Sequence, residues 1–138
     1  MTARNEAVFI PLAEVRTSLT AQVDAFGRSL QANGRSKNTV SAYRRDLLFV
    51  ARTLDSLRPA VVLGDVTRGL LDAALADPTI LHTSTGERSP ASLHRLKAAV
   101  KMFFAWAAEN GLAAENPARG IRLKRLPRKP PMFLTLSE

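Results

Sequence analysis

Cysteine is absent from the 138 residues, so neither a disulfide framework nor a thiolate metal site is available. Histidine occurs only as His82 and His94. The two fall on different elements, without His-x-x-x-His spacing and with no acidic cluster beside either, which argues against a metal ligand set or an acid–base couple. The Asp and Glu residues are scattered singly, and no G-x-x-x-x-G-K-[ST] or G-x-G-x-x-G loop offers a phosphate cradle. No apolar run approaches the roughly 18–20 residues of a membrane span. The opening "MTARNEAVFIPLAEVRTSL" has no apolar core of the signal-peptide kind. These absences lead to an expectation of no cofactor, no metal, no membrane partner and a cytoplasmic setting.

Positive charge is abundant. Lys and Arg number 20 against 12 Asp and Glu, for a net charge of +8 and a pI near 11.0. Such a balance favours a polyanionic partner, nucleic acid or an anionic surface, and its placement must decide between them. Apolar residues make up 46% of the chain, enough for one domain with a single core.

The apolar residues recur with helical spacing. Leu12, Val15, Leu19, Val23, Phe26 and Leu30 form one face of a first helix stopped at Asn33-Gly34. Ser36 is a good N-cap for a second helix, whose stripe runs Val40, Tyr43, Leu47, Val50, Leu54 and Leu57 before the break at Arg58-Pro59. "VVLGDV" has no strand candidate to pair with and reads as an extended connector to Thr67. Thr67 caps a short third helix bearing Leu70, Leu71, Ala74 and Leu75. Residues 76–89 are turn-rich and polar, the pattern of a long exposed loop. Ser89-Pro90 then opens a fourth helix through Leu93, Leu96, Val100, Phe103, Phe104 and Ala107, with a stop at Asn110-Gly111. "NPARGI" reads as one more helical turn. Six basic residues and no acidic one lie between Ala118 and Pro131, the composition of a linker. The expected fold is all-α: a bundle of four main helices, a short fifth helical turn and a basic C-terminal linker.

Tyr43, the only tyrosine, stands among Lys37, Arg44 and Arg45, a setting that invites a covalent-catalysis role. Its phase with Val40 and Leu47 places it on the apolar stripe instead, where a core tyrosine is expected. Lys37, Asn38, Ser41, Arg44 and Arg45 lie off that stripe. On the fourth helix Ser92, Arg95 and Lys101 do the same. Both polar faces begin at capped N-termini, where free N–H groups and the helix dipole favour phosphate. Arg and Lys neutralise phosphate or read guanine, and Asn and Ser add shorter hydrogen bonds.

These stretches resemble the N-terminal core-binding, SAM-like domain of the tyrosine recombinases, or phage integrases. "RSKNTVSAYRRDLLFVARTL" is similar to the family's second-helix pattern, in which Ser, Thr and Tyr precede spaced apolar residues. "SPASLHRLKAAVKMFFAWAAENGLAAENPARGI" is similar to its fourth helix and exit. The Pro-rich basic linker ending "LTLSE" resembles the approach to the family's catalytic domain, and the likeness covers residues 18–138. Leu96-Lys97 stand where the family often has Arg then Leu, and the loop at 77–88 is longer than usual. The resemblance implies residues 1–17 as an N-terminal extension or the beginning of helix one, 18–121 as the DNA-binding domain and 122–138 as a linker.

It further implies half of a clamp around a recombination half-site, with the second and fourth helices offering their N-terminal halves to the major groove. By position the second helix would supply Asn38, Thr39, Ser41 and Arg45, with Lys37 nearby. The fourth would supply Ser92 and Arg95, and the linker Lys124 and Arg125. The family's catalytic residues belong to a C-terminal domain expected to be missing here, and Tyr43 matches the core tyrosine rather than the nucleophile. The implied partners are a double-stranded DNA recombination site and, in a full-length protein, other recombinase protomers, with the isolated fragment monomeric and nucleoid-associated. A stand-alone helical DNA-binding regulator and a helical protein-interaction module remain the alternatives.

Overall fold

Four main helices carry the core, as the apolar spacing predicts. The structure, a computed structural model, describes residues 19–123. Helix α1 (Leu19–Ala32) leads to α2 (Lys37–Leu57), a 3-10 turn (Leu63–Asp65), α3 (Arg68–Leu75) and a one-turn α4 (Pro78–Leu81). A two-stranded antiparallel hairpin, β1 (His82–Thr83) with β2 (Gly86–Glu87), precedes α5 (Pro90–Glu109), the fourth helix of the sequence reading. Among the described residues no helix is long and apolar enough to cross a membrane.

The long α2 packs against α1, α3, α4 and α5, so it is the spine of the bundle. Leu19, Val23, Phe26 and Leu30 of α1 and Leu47, Val50 and Leu54 of α2 are buried, together with Leu96, Val100, Phe103, Phe104 and Ala107 of α5. Leu96 is fully buried, which fixes the phase of α5 and turns Arg95 toward α2. Tyr43 is half-buried and packs on the core with Val40. Leu12 and Val15 of the first predicted face lie outside the described residues. Leu57, the last member of the expected α2 stripe, is the helix's final residue and is 42% exposed.

Local chemistry sets the helix ends. Gly34 (φ 90°) and Gly111 (φ 73°) adopt the left-handed conformation that closes α1 and α5. Arg35 N donates to Leu30 O and Gly34 N to Gln31 O, and the same pair of bonds recurs from Leu112 to Ala107 and from Gly111 to Ala108. Ser36, Thr67 and Ser89 each accept a backbone N–H from the third residue onward, capping α2, α3 and α5.

Residues 76–89 are ordered rather than a loop throughout. Asp77 caps α4 with Pro78 at its start, the same signal as Ser89-Pro90, and Ile80 is fully buried beneath it. Thr79 donates its N–H and its hydroxyl to the Asp77 carboxylate, which holds that carboxyl below its ordinary pKa. The cap therefore contributes above the ordinary carboxylate pKa and is lost as pH falls through the lowered one. The hairpin itself is exposed, as the polar composition predicts. Residues 117–120 form hydrogen-bonded turns, with Arg119 N donating to Asn116 O and Ile121 N to Ala118 O, and bury Ala118 and Ile121.

Ala60 is the only described non-glycine residue with positive φ, at 63°. It follows Pro59 in a turn closed by Val61 N donating to Arg58 O, a position that favours glycine. Ala60→Gly is expected to raise stability by about 0.5–1 kcal/mol in urea unfolding. Unchanged or lower stability would show that the turn carries no strain.

Candidate nucleic-acid interface

The start of α2 presents Lys37, Asn38 and Ser41 to solvent, with Arg45 one turn further on. Lys37 and Arg45 have no ion-pair or hydrogen-bond partner among the described residues. Thr39 is less available. Its N–H and its hydroxyl oxygen both engage the Ser36 side chain, at 3.1 and 3.0 Å. Arg44 is engaged by α1, its Nε donating to Asp24 at 2.8 Å. That ion pair is about half exposed on both sides and so contributes little to stability.

On α5 the first turns meet the middle of α2. Arg95 Nε and Nη2 donate to the two carboxylate oxygens of Asp46 at 2.8 and 3.1 Å. The Asp46 side chain is 3% exposed and that of Arg95 42%, so a buried anion holds a half-exposed cation. This bonding raises the Arg95 pKa above its ordinary value, with Asp46's charge reinforcing it against partial burial. Ser92 is tied to its own helix start. Its hydroxyl accepts from Arg88 Nη1 at 3.0 Å and its N–H donates to Ser89 Oγ.

Arg88 lies in the segment whose composition predicts a loop. Its Nε donates to Ile80 O, and its guanidinium lies 5.9 Å from the Phe49 ring centroid, which faces Arg52 at the same distance. Arg88 therefore joins α2, α4 and α5. Asp46 was legible in principle. It shares the buried stripe with Tyr43, Leu47 and Val50, and a carboxylate in that phase requires a cationic partner.

The N-terminal halves of α2 and α5 meet at this Asp46–Arg95 pair. Asp46 lies ten residues beyond the Ser36 cap, about 15 Å along the helix. Lys37, Asn38, Ser41 and Arg45 form the exposed tract of α2, whereas Ser92 and Arg95 of α5 are half-buried. Lys101 is separate from this tract: its ammonium donates to Ile121 O and fastens the turn after α5. Lys124 and Arg125 lie outside the described residues.

Comparison with known proteins gives a consistent assignment. The family model described as phage integrase, N-terminal SAM-like domain, matches residues 23–111. The tyrosine recombinase XerC of Bifidobacterium longum subsp. infantis is 32% identical over 88% of this chain and 33% of its own length. XerC of a Mycobacterium species (strain JLS) is 34% identical over 81% of the chain and 36% of its own. XerC of Neisseria meningitidis serogroup B is 29% identical over 84% and 36%. The chain spans about a third of the length of these curated relatives. No solved structure gives a significant match. With its helical fold and most of its length matched, the chain belongs to the phage integrase family, as an N-terminal SAM-like domain.

Proposed function

We propose that this domain grips duplex DNA at a recombination half-site, as the DNA-holding part of a tyrosine recombinase whose strand-exchange chemistry resides elsewhere. The observation that carries this reading is the exposed tract of α2 bearing Lys37 and Arg45, neither paired with an acidic group among the described residues, with Arg95 half-exposed on the buried Asp46. Unpaired cations neutralise phosphates and release counterions, and the capped first turns of α2 and α5 add backbone N–H groups suited to the same anion. Asn38 and Ser41 supply short donors and acceptors between the cations. Residues 18–121 form the binding domain in this reading, and 122–138, with Lys124 and Arg125, continue along the DNA as a linker. Other protomers share the DNA in the full-length recombinase, and the isolated chain is monomeric.

Replacing Lys37 and Arg45 together by alanine is expected to weaken duplex binding about tenfold in fluorescence anisotropy, while melting stays near that of the parent. Arg44→Ala serves as the internal control, because its charge is already matched by Asp24. A loss from Arg44→Ala half as large in log affinity as that of the double variant would mean that affinity follows net charge alone and not this surface.

A further inference from the structure

The Asp46–Arg95 pair differs in kind from the cations of the α2 tract. It is electrically compensated, so it adds little to long-range attraction for phosphate. What it adds is orientation. Of the five N–H donors of a guanidinium, Nε–H and one Nη2–H are held by the two oxygens of Asp46. The other Nη2–H and both Nη1–H groups remain, and of these the Nη2–H and one Nη1–H are parallel, on the edge facing away from Nε. The carboxylate is nearly fully buried and joins α2 to α5 across 49 positions of sequence, so the plane of the guanidinium is set by the core rather than by solvent. The Arg95 side chain is 42% exposed.

We propose that Arg95 is a base-reading residue and Asp46 its positioning residue. In this assignment, which rests on the DNA-binding reading above, the outer Nη1/Nη2 edge donates two parallel hydrogen bonds to a pair of acceptors on a base edge. The major-groove O6 and N7 of guanine present that pair. A charge-compensated, preoriented fork suits a base edge better than a phosphate. A phosphate contact draws on net charge and tolerates a mobile side chain, as at Lys37 and Arg45.

The test is selection of duplexes from a library with randomised central positions by the full chain, its Arg95→Lys variant and its Asp46→Asn variant, with melting of each protein recorded. The parent is expected to enrich guanine at one position. Arg95→Lys keeps the charge but has no second edge. It should bind the pool within a few-fold of the parent while losing enrichment at that position alone. Asp46→Asn, which frees the fork, should blur the same position about tenfold in relative base preference.

Enrichment of the same guanine by Arg95→Lys would overturn the assignment. So would a uniform affinity loss across sequences with a salt dependence reduced by about one unit, the signature of a phosphate contact. Binding by the parent without any guanine preference overturns the base-reading role but leaves DNA binding standing. No binding by the parent overturns the DNA reading itself. If Asp46→Asn fails to fold, the Arg95→Lys arm still decides whether Arg95 reads a base.

Discussion

Phe103→Ala is expected to destabilise the domain by about 4 kcal/mol. Phe103 is 2% exposed. Its ring meets Phe26 of α1 edge-on at 5.6 Å, Phe104 at 5.0 Å and Trp106 at 6.0 Å between centroids. Phe26 also touches Trp106 at 5.5 Å, so one cluster joins α1 to α5. Truncation removes a large apolar side chain from water-free contact and leaves a cavity whose neighbours are aromatic and cannot collapse into it. Against a typical total stability of about 5–15 kcal/mol, that loss brings the domain near its unfolding threshold. Urea unfolding of parent and variant measures it directly. A loss below about 1.5 kcal/mol would mean that α1 is held to α5 by something other than this cluster.

Arg95→Ala is expected to cost about 2 kcal/mol. Removing one partner of a buried ion pair leaves a desolvated charge, typically worth about 3–5 kcal/mol. Here Arg95 is 42% exposed, and water entering the vacated space relieves part of the penalty at Asp46. The contrast is Arg44→Ala at the Asp24 pair, with 49% and 39% exposure, where the cost should stay below about 1 kcal/mol. Chemical unfolding at neutral pH separates the two. Equal effects would contradict the distinction between a core-anchored and a surface pair. The cost also bears on DNA experiments: weaker binding by Arg95→Ala mixes lost contact with lost stability. Arg95→Lys, which keeps a cation beside Asp46, avoids that confusion.

Much of the fold is written locally. The Ser36, Thr67 and Ser89 caps and the Asn33-Gly34 and Asn110-Gly111 stops are short-range signals. The structure uses each of them. The stripes through Val23, Phe26 and Leu30, through Leu47, Val50 and Leu54, and through Val100, Phe103 and Ala107 are buried as their spacing predicts. The ordered segment at 77–87 was missed because its only core residue is Ile80, and one buried side chain creates no periodicity. The Asp77-Pro78 cap was visible there but brief.

The candidate surface was legible only in part, for a different reason. Which helix face bears Lys37, Asn38, Ser41 and Arg45 follows from phase alone. Which cation is already partnered depends on residues far away in sequence: Asp24 for Arg44, Asp46 for Arg95 and the Ile121 carbonyl for Lys101. Periodicity cannot supply these pairings. They divide one set of basic residues into free cations, a structural tie and an oriented fork.

Duplex binding by the full chain, measured as a function of salt, tests the central reading most directly. If about five phosphates are neutralised, log affinity should fall against log salt with a slope of about −4 to −5, a loss of roughly 250- to 1,000-fold between 50 and 200 mM. A slope shallower than about −1, or no measurable binding at the low-salt end, would contradict DNA recognition by this surface.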